Sequence, residues 1–437
     1  MKNNNIDSIN KIGKEIILKG WVNTIRKMSK MAFVDLRDRS GIVQVVLIPS
    51  ELDEASQSIM AEIKPEYVLE ISGIVNKRGE KQINKNEPAG EVEILAKSIK
   101  ILSEAETPLP IPITNDFGNE AEFSTRLDWR WIDLRDPKKQ NIFKVWTALE
   151  QGCREYFAKE NFTQIYTPSF MSAPSESGAE VFTVKYFDRQ AYLAQSPQFY
   201  KQMAMAAGME KVFVNGPVFR AEPSFTSRHM TEFTGWDFEI SFIESHYDVM
   251  AAEEQMLIAG FKQVKAQILP DLEIPIAPFP KIGLKEAKEK LLVSGITSEK
   301  ADDLSPEEER GICEIIKKET GSDFVFITDY PISVRPFYHM RHENDNSLTK
   351  SFDLLYKGIE ITTGAQREHR VEILEAQAKE KGMDLASLKD YINFFRFGCP
   401  PHGGVGIGPG RIIMSLLDLP NVKEVTFLPR DVKRLTP

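Results

Sequence analysis

With 437 residues, 42% apolar and 27% charged, the chain is long enough for two or three packed domains and too apolar to be disordered. No apolar run reaches the ~20 residues of a membrane helix, and the start, MKNNNIDSINK, lacks the apolar segment of a secretory signal, so a cytoplasmic protein with no membrane partner is expected. The net charge of −9 excludes a general polyanion-binding coat; residues 1–102 carry 16 Lys and Arg against 14 Asp and Glu, which leaves −11 on the rest and restricts any RNA contact to local patches. Cys153, Cys313 and Cys399 show no CxxC or Cys/His spacing, so neither a disulfide framework nor a zinc site is indicated.

In chain order, residues 1–103 read as strands at 16–26, 31–38, 42–48, 67–76 and 92–102, with a helical stretch at 51–63. Five strands with a helix after the third is the order of an OB barrel, a fold that binds single-stranded nucleic acid by stacking bases on aromatic side chains. Phe33 and Gln44 suit that work, although a Phe and a Gln at such positions are as readily packing and surface. Arg26, Lys27 and Lys30 would hold phosphates or form a solvated hairpin. Residues 104–140 read as a linker and hinge: TPLPIPIT is proline-rich and extended, and STRLDWRWIDLRD offers cations and aromatics for packing.

Residues 141–437 form the larger domain. Ile142, Val145, Trp146, Leu149, Cys153, Tyr156 and Phe157 recur at helical spacing, and a strand follows that ends at Pro168. SAPSESGAEVF, with Glu176, is a small polar loop of the kind that closes over a substrate, and Gln198, Phe199, Tyr200 and Lys201 open a helix. A lone Lys there would ordinarily face solvent. Strand-like runs at 212–220 and 232–243 enclose a polar loop with Arg228, His229 and Met230; on the rising strand Arg220 and Glu222 flank Ala221, so their side chains share a face. That pair can grip a phosphate and accept from an amine, or form a solvated ion pair. A helix over 245–269 precedes a small insertion near 270–330, whose acidic run SEKADDLSPEEER is expected to be a solvated face with nothing catalytic in it. SFDLLYKGIEITTGAQREHR alternates as a strand carrying Glu360, Thr363 and Arg367; Glu and Thr oxygens suit Mg²⁺ among phosphates. Finally, Gly408, Pro409 and Gly410 precede Arg411 at the start of a helix, where bare backbone can approach a ligand.

The run FRAEPSFTSRHMTEFTGWDFEISF resembles motif 2 of the class II aminoacyl-tRNA synthetases, and is closest to the aspartyl enzymes of the archaeal type. NFTQIYTPSF resembles motif 1, GGVGIGPGRIIMSLLDL motif 3, and QSPQFYKQ and GAQREH the substrate-pocket patterns. The resemblance implies an α+β protein: an OB barrel joined to an antiparallel sheet of six or seven strands flanked by helices, acting as a homodimer with Pro168 at its interface. It implies activation of L-aspartate with ATP and Mg²⁺, and transfer to tRNA(Asp), with tRNA(Asn) left open. Arg220 and Arg411 would be catalytic. Glu176, Gln198, Phe199, Tyr200, Lys201, Arg220, Thr363 and Arg367 would bind aspartate. Arg220, Ala221, Glu222, Arg228, His229, Met230, Phe233, Glu360, Gly408, Pro409, Gly410 and Arg411 would bind ATP, with Glu360 and Thr363 on the metal; Phe33, Gln44 and Glu93 would read the anticodon. A Lys beside an Arg suits a carboxylate, whereas an asparaginyl enzyme takes a neutral amide. Gly410 departs from the Glu that most relatives place before the arginine, which leaves a non-catalytic RNA-binding paralogue as the rival from another class; at that position Glu is expected to be tolerated.

Overall fold

The computed structural model describes residues 3–113, 120–174, 181–224, 226–297 and 300–437, and the chain divides into two compact units, Met1–Pro137 and Lys138–Pro437. In the first, β1 (Glu15–Lys27), β2 (Ala32–Asp38), β3 (Gly41–Leu47), β4 (Val68–Lys77) and β5 (Val92–Ser103) close into a barrel in the order β1-β2-β3-β5-β4. Alternate residues such as Ile16, Leu18, Val34, Val45, Ile71 and Ile94 fill its interior, as the two-residue period of a strand requires. The helix α1 (Glu54–Glu62) follows β3 and begins at Asp53, whose carboxylate accepts from the Ser56 N–H. Two short helices, α2 (Phe123–Asp128) and α3 (Arg130–Asp133), end this unit. The buried Arg130 donates to Asp133 at 2.6 Å, and Arg135 donates to Glu66 at 2.8 Å, so both of these hinge cations have a partner within the unit.

The second unit opens with α4 (Pro137–Lys159), four residues earlier than the periodicity predicts. The strands β6 (Thr163–Gln164), β7 (Phe170–Met171), β8 (Thr183–Tyr186) and β9 (Arg189–Leu193) lead to α5 (Gln198–Ala206). Then follow β10 (Lys211–Phe219), β11 (Glu232–Ser241), α6 (His246–Gln267), β12 (Lys281–Gly283), α7 (Leu284–Val293), α8 (Pro306–Thr320), β13 (Phe324–Thr328), β14 (Ser351–Tyr356), β15 (Ile359–Gln366), α9 (Val371–Glu380), α10 (Lys389–Phe395), β16 (His402–Ile407) and α11 (Pro409–Leu416). The main sheet has eight strands in the order β12-β13-β14-β15-β16-β11-β10-β6, rather than six or seven. The stretch taken for an insertion supplies two of them, β12 and β13; β12–β13 and β10–β6 pair in parallel and the remainder are antiparallel.

Sheet register sets the site. On β11, Trp236 and Phe238 point into the core beneath α4 and α6, so Phe233, Asp237 and Glu239 occupy the opposite face. Asp237 lies across from Gly406, and Gly406 from Thr363, so one row runs over three strands. Gly404 sits across from Glu239; a Cβ there would lie 2.1 Å from the Glu239 carboxylate and 2.2 Å from the Phe238 carbonyl, so only glycine leaves Glu239 its place.

Candidate active site and barrel surface

A cavity of about 850 Å³ opens over this face, near the upper end of the ~300–1,000 Å³ of ligand pockets. Its nucleotide-like end is cationic. Arg220, just past β10, fixes its backbone N–H on the Thr231 carbonyl at 2.9 Å and lies over the Phe233 ring at 5.7 Å. Its guanidinium stands 3.7 Å from Glu222, so the shared face expected from their spacing is present, with the two side chains near each other. His229 Nδ1 meets the Thr226 hydroxyl at 2.6 Å; burial and then the Arg411 charge lower its pKa, which leaves a neutral imidazole. Arg228 is held by Glu309 at 2.6 Å. Arg411 donates to the Glu360 carbonyl at 2.9 Å and lies 3.7 Å from its carboxylate, and Thr363 donates to that carboxylate at 3.0 Å. Met230, Gly408 and Gly410 line the same cavity; Ala221 is part-buried beside it, and Pro409 is buried at the start of α11.

The other end is lined by Gln198, Asp237, His339 and Arg367. Arg367, 3% exposed, donates to Glu239 at 2.9 Å, to Gln198 at 3.2 Å and to the Gly404 carbonyl at 2.9 Å. It also contacts His339 Nε2 at 3.0 Å; burial, with Arg367 next in weight, holds the His339 pKa well below its usual value, so the neutral ring accepts that hydrogen bond. Lys201 is fully buried and does not line the cavity. Its ammonium donates to the Val405 carbonyl at 3.1 Å and lies 2.7 Å from the Asp237 and 3.3 Å from the Glu239 carboxylates, and Asp237 stands on the cavity side. Phe199 stacks on Tyr391 at 4.0 Å in the core and Tyr200 is part-buried, neither on the cavity wall. Glu176 lies outside the described residues.

Asp237, Glu239 and His339 escaped the sequence reading. Asp237 and Glu239 share the two-residue period of Phe233 in a strand already assigned, which was the available signal. Burial raises the Asp237 pKa, with Lys201 opposing, whereas Arg367 and Lys201 hold Glu239 below its usual range despite its burial.

On the barrel, Gln44 and Glu93 are directly paired between β3 and β5, with Gln44 donating to Glu93 at 3.1 Å. Phe33 and Asp35 are on the same face of β2, with Asp35 across from Gln44, so the three expected anticodon residues form one outer patch. Arg26 joins it through a 2.9 Å pair with Asp35, and Lys27 is engaged with the Ala61 carbonyl at 2.8 Å.

The profile of tRNA synthetases class II (D, K and N) matches residues 122–432, and that of the OB-fold nucleic acid binding domain matches residues 16–102. The chain belongs to the class II tRNA synthetases of this group. An aspartate–tRNA(Asp/Asn) ligase of Aeropyrum pernix is 41% identical, covering 98% of this synthetase and 96% of its own length. An aspartate–tRNA(Asp) ligase of Pyrococcus abyssi is 38% identical over 97% of each chain. The asparaginyl-tRNA synthetase of Pyrococcus horikoshii, solved with asparaginyl-adenylate, is 31% identical with a TM-score of 0.88, covering 98% of this synthetase and 97% of that chain. The expected α+β architecture of an OB barrel with a class II sheet therefore holds.

Proposed function

We propose that this synthetase is an aspartate–tRNA ligase that converts L-aspartate and ATP to aspartyl-adenylate and loads the aspartyl group on tRNA(Asp), tRNA(Asn) being the acceptor left open. The observation that carries the choice of aspartate is Arg367, buried at the closed end of the cavity within a cluster of two cations and two carboxylates. Arg367 lines the cavity and offers its guanidinium to the side-chain carboxylate of aspartate, a charge-assisted partner that the neutral amide of asparagine is not. Of the relatives compared, the aspartate enzymes are also nearer in sequence than the asparaginyl one.

In the first step the aspartate α-carboxylate attacks the α-phosphorus and pyrophosphate leaves. Positioning and charge neutralisation supply most of the acceleration. Arg220 stabilises the α-phosphate as charge accumulates, Phe233 and Arg411 flank the adenine, and Glu222 accepts from its amine. Arg228 and His229 take the γ-phosphate side. The Glu360 carboxylate and Thr363 hydroxyl, 3.0 Å apart on the cavity wall, fit an ion bound chiefly through phosphate and water, since no cluster of three metal-binding side chains exists among the described residues. Magnesium bound with ATP there supplies neutralisation of phosphate charge. Gln198 and Arg367 orient the substrate side chain, Lys201 sets Asp237 and Glu239 behind it, and Glu176 is assigned to the substrate ammonium. A ribose hydroxyl of the terminal tRNA adenosine then attacks the aspartyl carbonyl and AMP departs. Phe33 stacks on an anticodon base that Gln44 and Glu93 read. The enzyme works in the cytoplasm as a homodimer, with Pro168 at the interface.

Charging purified tRNA(Asp) and tRNA(Asn) transcripts with labelled aspartate tests this reading. Aspartyl-tRNA(Asp) is expected; product on tRNA(Asn) would add the second acceptor, and product on neither would reject the assignment.

A further inference from the structure

The acidic stretch SPEEER was expected to be a solvated face, and the structure divides it. Glu307 is exposed, but Glu308 is 1% exposed and caps its own helix, accepting from the Ser305 backbone N–H and from Lys288 at 2.7 Å, while Ser305 accepts from the Glu308 N–H. Glu309 turns towards the loop between β10 and β11 and binds Arg228 at 2.6 Å, the two side chains being only 12% and 16% exposed. We propose that Glu309 is a positioning residue, holding Arg228 in the orientation in which it meets the ATP triphosphate. The proposal rests on the reading of Arg228 as a phosphate ligand.

Arg228 sits on an irregular loop, where a long side chain would otherwise sample many rotamers. Two anchors remove that freedom: Nη1 donates to the Glu309 carboxylate, and Nη2 donates to the Gly358 carbonyl at 3.3 Å. Both belong to one scaffold. Gly358, at φ +80°, turns β14 into β15 so close to α8 that a Cβ there would lie 2.9 Å from the Arg310 side chain and 3.0 Å from its Cα. The helix itself is fixed by the capping box at Ser305, with Pro306 in its first turn, and by the Lys288–Glu308 pair. A guanidinium has five N–H groups in one plane, so two tied on one side leave the others for an anion in the cavity that Arg228 lines. The helix α8, which the sequence reading set apart from the chemistry, thereby reaches the nucleotide through one carboxylate.

The test measures ATP KM, aspartate KM and kcat by pyrophosphate exchange for Arg228→Ala, Glu309→Ala, Glu309→Gln, Glu309→Asp and the Arg228→Ala/Glu309→Ala pair. Glu309→Ala should raise the ATP KM about tenfold and leave the aspartate KM within about twofold, because only the nucleotide side loses an ordered ligand. Glu309→Gln, which keeps the accepting oxygen, should stay within about threefold of the parent; Glu309→Asp, which keeps the charge but falls short, should not. The double variant should be no worse for ATP than Arg228→Ala, since Glu309 acts through that residue. A parent-like ATP KM in Glu309→Ala while Arg228→Ala is impaired overturns the role of Glu309 and leaves the site reading intact. A parent-like ATP KM in Arg228→Ala overturns the reading of Arg228 itself. A lower ATP KM in Glu309→Ala would make Glu309 a competitor for the arginine and also reject the proposal; if that variant does not fold, Glu309→Asp against Glu309→Gln decides alone.

Discussion

Lys201 shows how a residue recognised by pattern acquires a different physical task in three dimensions. Its ammonium, 0% exposed, is surrounded by Asp237, Glu239 and the Val405 carbonyl. Removing one partner of a buried ion cluster leaves uncompensated charge at a cost of roughly 3–5 kcal/mol. Lys201→Met is therefore expected to lower the thermal midpoint, with Lys201→Met/Asp237→Asn recovering part of the loss; an unchanged midpoint would show that the cluster adds nothing to the fold. Gly410 bears on a second expectation. A Cβ there would stand 3.3 Å from Val422, 3.5 Å from Val425 and 3.9 Å from Trp146, so the first carbons of a Glu side chain would press on an apolar layer beside the cavity. Gly410→Glu should therefore destabilise by about 1–3 kcal/mol in chemical denaturation. A tolerated Glu would show that this layer relaxes. The sequence carried Arg220, Arg367 and Arg411 because motif spacing keeps such residues recognisable. Asp237 and His339 were not legible, since their roles depend on which strands and loops lie beside them.

At the scale of elements, periodicity located the five barrel strands, α1, α4, α6, β10 and β11 to within a few residues, because each buries one face, whereas α9 and α10 were not read. The stretch 270–330, expected to be a small helical insertion, does hold the helices α7 and α8, but its strands were missed. Its short strands β12 and β13 are 3 and 5 residues long, too brief for alternation to register, and they extend the sheet that the helices α7 and α8 cover. The helix α6 carries a further consequence in Glu253, fully buried, whose carboxyl oxygens have no hydrogen-bond partner among the described residues. Burial pushes its pKa up from 4.5 to about 8. The folded state thus keeps a proton that the unfolded chain releases above pH 4.5, so this group's contribution is fully present below that value and is lost as pH rises towards 8. Denaturation midpoints followed across that window should fall in the parent and fall less in Glu253→Gln, which stays neutral throughout. Equal slopes would assign the proton elsewhere.

At the scale of the whole molecule, the proposed RNA-reading patch and the proposed catalytic cavity lie in different compact units. Phe33→Ala should lose about 1–3 kcal/mol of tRNA stacking, seen as a raised tRNA KM in charging, and leave aspartate activation unchanged. A loss of activation would mean that the barrel and the catalytic unit do not work separably. The central claim concerns the amino acid, because an asparaginyl enzyme shares this fold at a TM-score of 0.88. ATP–pyrophosphate exchange with aspartate, with asparagine and with neither, in the parent and in Arg367→Ala, tests it most directly. Aspartate should support exchange with kcat/KM at least about a hundredfold above asparagine, equivalent to about 2.7 kcal/mol, and Arg367→Ala should lose about 2–5 kcal/mol of that efficiency. Exchange driven equally well by asparagine, or by aspartate without Arg367, would contradict the assignment.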